Sequence, residues 1–171
     1  MSNGARRFVY GALGGAIGAA CMTVLRMAAH RRGVIDKTVS QAAEEWLVER
    51  LDLQSARQEP ALHHLLDQLL HLGYGATLGL GYAALHRGRP GGRISLGALY
   101  GVGTWFFGSW GLLPALGAKR PPWRKGLGSN AVDLGAHALF GAVTALVSSE
   151  MAAQTNHRRT SDEARYRSRT G

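Results

Sequence analysis

Charge along this chain is gathered into blocks, and the intervals between the blocks are long enough to decide what its solvent can be. Phe8 to Leu25 is 18 residues without Asp, Glu, Lys or Arg, and Ile94 to Ala118 is 25. A bilayer core is crossed by about 20 predominantly apolar residues in a helix, so both intervals are candidate spans. Pro60 suits the first turn of another, and Asn130 can cap a fourth. The expected fold class is therefore all-α: a polytopic membrane protein with a four-transmembrane-helix bundle in residues 1–150, its spans near 8–29, 61–85, 94–118 and 131–149. The mean hydropathy of −0.08 hides this, because the charge blocks and 24 glycines pull the average down. Glycine is itself more frequent in spanning helices than in soluble ones.

The net charge of +9 would suggest nucleic acid in a soluble chain. Here Lys and Arg flank apolar runs, so anionic headgroups of the lipid bilayer are the expected counter-charge, and no nucleic-acid partner is expected. A single cysteine, Cys21, excludes an internal disulfide and any multi-Cys metal site. Arg6-Arg7 before the first apolar run has the form of a secretory signal. The run continues past Ala19-Ala20-Cys21 to Arg26, however, which favours a retained anchor.

The strongest internal signal is a repeat. Asp67, His71, Tyr74, Gly75 and Ala76 are matched by Asp133, His137, Phe140, Gly141 and Ala142, each displaced by 66 positions (133−67, 137−71, 140−74). On a helix, the Asp, the His four residues on and the following aromatic-Gly step fall along one stripe. Tyr10-Gly11 and Tyr100-Gly101 place the same aromatic-Gly step in the first and third spans. The pattern predicts two related hairpins in a parallel repeat about the membrane normal, with both Asp and His pairs at similar depth near one face. Small residues at GxxxG spacing let helix backbones approach, which marks Gly11, Gly14, Gly15, Gly18, Gly75, Gly79, Gly97, Gly101 and Gly141 as packing positions. The same faces offer a route to a homo-oligomer.

Outside the spans, Val39, Ala42, Ala43, Trp46, Leu47 and Leu51 recur at helical spacing and predict an amphipathic helix over about 39–53. Residues 151–171 are basic and lack apolar periodicity, which reads as a disordered tail. Loop charge is tied at 10 Lys and Arg on each side. The termini are assigned to the cytoplasm because the other side's basic residues are spread through a longer acidic loop.

Ionisable side chains at lipid depth are a hypothesis about function by default. If the second and fourth spans are neighbours, Asp67, His71, Asp133 and His137 admit three readings. They can be structural, with Asp133 helping to cap a helix start and each His bonding across to another helix. They can be protonic, because imidazole titrates near pH 6.5 and a carboxylate moves that value. They can also hold a metal, since two His and two Asp suit Zn, Mn or Fe. No cofactor is expected: no GxGxxG between a strand and a helix and no P-loop occurs. No catalytic residue set is recognisable either.

The Gly-rich first span with Met22 near its end, the H-x-x-[YF]-G steps at His71 and His137, and Tyr100-Gly101 with Trp105 resemble the YagU-like bacterial inner-membrane proteins. The resemblance covers roughly Arg7 to Glu150. It implies an inner-membrane location and a link to acid tolerance, and it carries over no catalytic residues. The leading expectation is thus a proton-responsive or proton-conducting membrane protein. The alternative is a non-catalytic structural or scaffold subunit, and the third is a metal or small-solute carrier.

Overall fold

The computed structural model describes residues 2–34, 60–86, 94–112, 115 and 126–170. Regular structure among them is entirely helical: α1 (Asn3–Arg31), α2 (Pro60–Leu85), α3 (Ile94–Trp105) continuing into a π-helical stretch (Phe106–Leu112), and α4 (Leu127–Thr170). The amphipathic helix expected over 39–53 lies outside the described residues, as does Pro114.

The ends of α1 follow from local chemistry. The Ser2 side chain accepts a hydrogen bond from the Ala5 N–H at 3.3 Å, satisfying one of the donors that a helix start leaves over. At the other end Gly33 takes φ +70°, and the Gly33 and Val34 N–H groups bond the His30 and Ala29 carbonyls at 2.9 and 3.0 Å. That is a Schellman close, for which the left-handed residue is best a glycine.

Two expectations at α4 are corrected. Asn130 does not cap the helix: its N–H already bonds the Gly126 carbonyl at 3.2 Å, and the helix opens at Leu127. The segment read as a disordered tail is helical through Thr170. No Gly or Pro occurs between Gly141 and Gly171, so a helix already nucleated in the apolar segment propagates outward without the cost of a new start.

α1 runs between α2 and α4 and packs along both, α3 packs on the far side of α4, and α2 and α4 barely touch. α1 and α4 are antiparallel. The Tyr10 and Thr155 hydroxyls share a hydrogen bond of 2.6 Å at one end, and Arg26 meets Asp133 at the other. Each of the three main contacts is a close backbone crossing built on glycine. A Cβ at Gly15 would strike the Gly75 carbonyl and the Gly79 Cα; one at Gly97 would strike the Gly141 carbonyl and the Ala145 Cβ. A Cβ at Gly18 would come within 2.7 Å of the Phe140 carbonyl oxygen. These contacts fix the register between the hairpins. Gly75 to Gly141 and Gly79 to Ala145 are each 66 positions apart (141−75, 145−79), so Gly15 corresponds to Gly97. The aromatic-Gly match of Gly11 with Gly101 is therefore not the one the packing uses.

The interior is built largely of small residues and holds polar ones, unlike the core of a water-soluble protein. The largest fully buried side chain is Thr144, and Arg26, Ser109 and Asp133 are buried with it. Met22, Trp105 and Phe140 are buried too, but most of the large apolar residues face outward. Val9, Leu13, Ile17, Val24 and Met27 line the outer face of α1, Leu99 is outward on α3 and Phe107 on the π-helical stretch. Two helical stretches, Gly4–Arg31 and Leu127–His157, are long and apolar enough to cross a membrane.

Candidate functional site

The buried stripe of α1 runs Gly11, Gly15, Gly18, Met22, Arg26, at the three- and four-residue steps that keep side chains on one helix face. One of its members is a charge. The Arg26 guanidinium, 2% exposed, donates through one terminal nitrogen to an Asp133 carboxylate oxygen at 3.0 Å, and Asp133 is 5% exposed. Arg26 Nε is buried and has no hydrogen-bond partner among the described residues. The carboxylate expected to cap α4 or relay protons is thus the counter-ion of an arginine on α1.

This ion pair is at one end of the apolar stretches of α1 and α4. Arg7 and Arg26 are 19 residues apart (26−7), and Asp133 and Glu150 are 17 apart (150−133). At about 1.5 Å per residue both intervals approach ~30 Å, the thickness of a hydrocarbon core.

The two histidines are fastened differently. His71 Nε2 lies 3.2 Å from the Ala19 carbonyl oxygen on α1, and the Thr23 hydroxyl donates to the same oxygen at 3.1 Å. His137 Nδ1 lies 2.7 Å from the Asp133 carbonyl oxygen on its own helix. A carbonyl oxygen only accepts, so the bonded nitrogen carries the hydrogen in each ring: Nε2 in His71 and Nδ1 in His137.

α1 therefore stands between the two helices that carry the repeated Asp and His, which removes the premise that the second and fourth spans are direct neighbours. The Asp67 side chain lies outside the described residues. Among the described residues no group of three or more His, Cys, Asp or Glu is placed to hold a metal ion. The repeated aromatic position also splits. Phe140 is 2% exposed and packs over Gly18, Ala19 and Met22, whereas Tyr74 is 52% exposed.

Sequence reasoning placed Arg26 in the flanking basic block and missed its role. The available signal was its position four residues beyond Met22 on the same stripe as the glycines. It also missed the tyrosines between α2 and α3. The Tyr100 hydroxyl donates to the Leu78 carbonyl at 2.6 Å, its ring meets Tyr82 edge-on at 5.4 Å, and Tyr82 stacks on His86 at 4.1 Å. Past α3 the wider π turn, which pairs each residue with the fifth beyond it, gathers Trp105, Phe106 and Trp110 within 6.2 Å of one another.

Comparison of the chain with protein-family models, curated proteins and solved structures found no match.

Proposed function

We propose that this chain is an integral membrane protein of four helices, made of two related hairpins, and that it serves as a non-catalytic structural subunit. The observation that carries this reading is the inside-out distribution of side chains. Leu99 and Phe107 are 65% and 69% exposed, while the interior is made mostly of glycine and alanine with Thr144 and an Arg–Asp pair, and of the large apolar side chains only a few, such as Met22 and Phe140, are buried with them. In water that arrangement exposes too much apolar surface, whereas in lipid it is stable: association then depends on close packing of small residues and on polar ties between helices. The matching crossings of Gly15 on Gly75 and Gly97 on Gly141 support the related hairpins. The polar residues read as fasteners. Arg26 ties α1 to α4, His71 ties α2 to α1, and Tyr100 ties α3 to α2. The excess of cationic residues suits an anionic membrane such as a bacterial inner membrane, with the termini on the cytoplasmic side.

Alkaline carbonate extraction of membranes tests the first part: the protein stays in the lipid pellet, and release into the supernatant refutes it. A second reading, proton response, is favoured by the position of His137, whose Nδ1 bonds the backbone of Asp133. A proton taken up by His137 adds positive charge one helical turn from a buried arginine whose charge is balanced by Asp133. The acid-tolerance link of the YagU-like proteins points the same way. Changing His71 and His137 together to Gln decides between the two. Unchanged growth in acid at a normal protein level supports the structural reading, and lost acid tolerance at a normal level replaces it with the second.

A further inference from the structure

The two hairpins are joined along two sides of unequal build. On one side α1 and α4 meet through their backbones: a Cβ at Gly14 would come within 2.8 Å of the Thr144 carbonyl oxygen, and one at Gly18 within 2.9 Å of the Thr144 hydroxyl. On the other side α2 and α3 have no glycine crossing of that kind among the described residues. The repeat identifies what stands in its place. With Gly15 matched to Gly97 and Asp67 to Asp133, the pair Gly18 and Thr144 corresponds to Tyr100 and Leu78 (18+82, 144−66). The Tyr100 hydroxyl donates to the Leu78 carbonyl at 2.6 Å, and a Cβ at Gly81 would lie 3.0 Å from it. A join made by backbones in one half is thus made in the other by a single phenol reaching across.

That phenol closes over the interior. Leu78 and Tyr100 both rest on the buried cluster of Ala19, Met22, Ala136 and Phe140, and the Tyr100 ring stands edge-on to Tyr82, which is buried. Phe140, enclosed beside Gly18, corresponds to Tyr74 (140−66), which is half exposed. Each hairpin is locked within itself, by Gly15 on Gly75 and by Gly97 on Gly141, so it moves as one piece. One hydrogen bond has a small net worth, and it is the weakest of these joins. The most thinly packed side of a structure is the one that opens first.

We propose that the α2–α3 side is a lateral gate latched by the Tyr100 hydroxyl. When the latch releases, the two hairpins roll apart about the retained α1–α4 crossing, a shear motion of packed helices, and Phe140 and Tyr82 are uncovered. The proposal rests on the reading of the chain as two hairpins.

The test uses the full chain in detergent micelles, with Cys21→Ser and nitroxide pairs on outward residues: Leu80 with Leu99 across the gate, and Leu13 with Leu146 across the hinge. Distances are read by pulsed electron–electron resonance. The parent is expected to show a principal Leu80–Leu99 distance and a minor longer one. Tyr100→Phe, which removes only the hydroxyl, raises the ratio of the longer to the shorter about two- to tenfold, the worth of one hydrogen bond, and leaves the Leu13–Leu146 distance unchanged. Gly81→Ala keeps the phenol but crowds its oxygen, so it shifts the Leu80–Leu99 pair the same way and serves if Tyr100→Phe does not fold. A Leu80–Leu99 distribution that neither substitution alters overturns the latch, and so does an equal broadening of Leu13–Leu146, which marks a loosening of the whole bundle. A Leu13–Leu146 pair too far apart to register in the parent overturns the packing of the hairpins themselves.

Discussion

Removing Asp133 tests the reading of the buried pair most directly. Asp133→Ala leaves the Arg26 guanidinium in place, 2% exposed, with its Nε already lacking a partner. Breaking one side of a buried ion pair costs about 3–5 kcal/mol, because the surviving charge stays desolvated with nothing opposite it. The low end of that range already shifts the folded-to-unfolded ratio more than about 100-fold, a large part of a stability of ~5–15 kcal/mol. The loss belongs to the orphaned charge more than to the contact itself. Replacing both partners with apolar residues of similar volume, Arg26→Met with Asp133→Leu, should therefore recover most of it, to within about 1 kcal/mol of the parent or better. The assay is reversible unfolding of the purified protein in mixed micelles with increasing SDS, followed by the tryptophan fluorescence of the four Trp residues, for the parent, both single variants and the double. Coupling between the two sites follows from the cycle. If Asp133→Ala unfolds at the parental midpoint, or the double variant is as unstable as the two singles added together, Arg26 and Asp133 do not form the tie described.

The remaining expectations concern backbone approach and the contact between α2 and α3. Gly101→Ala should lower the SDS midpoint strongly, because its Cβ would strike the His137 carbonyl, whereas Gly103→Ala, with open space around its position, should be neutral or raise it by up to about 1 kcal/mol through helix propensity. Equal effects at the two sites would contradict the α3 crossing. Tyr100→Phe removes the one hydroxyl that bonds Leu78 and should cost about 0.5–1.5 kcal/mol in the same titration; disulfide trapping of cysteines placed at Leu78 and Leu96 should change with it, and an unchanged trapping rate would mean the hydroxyl does not hold α2 to α3. A nitroxide label at Leu13 or Ile17 should report fast lipid-phase oxygen collisions, and one at Ala136 slow collisions. Equal accessibility would refute the assignment of outer and inner faces.

The helices were legible in the sequence because apolar length and charge spacing are local properties. So were the packing glycines, since Gly75 and Gly141, 66 positions apart, both sit at backbone crossings. What was not legible was which helices would be neighbours. The repeat invited the view that Asp67, His71, Asp133 and His137 converge. The insertion of α1 between α2 and α4 rests instead on Gly11 and Gly15 meeting α2 while Gly14 and Gly18 meet α4, a tertiary preference that the repeated motif does not contain. Arg26 was obscured for a related reason. A charge at the head of a basic block reads as a membrane flank, and only the stripe shared with Gly18 and Met22 shows that it turns inward. The tail was misread because low apolarity was taken for absence of structure, although an existing helix needs no apolar face to extend.

That extension gives α4 a mechanical property. From Asp133 to Thr170 it runs for 38 residues (170−133+1) as one helix, and past Gly141 it contains none of the Pro or Gly positions at which helices usually bend. Its outer 20 residues beyond Glu150 make an arm of roughly 30 Å at 1.5 Å per residue. Rocking the inner portion by ten degrees sweeps the tip through roughly 5 Å on that geometry, so small adjustments among the packed helices are displayed, enlarged, at the far end of the arm.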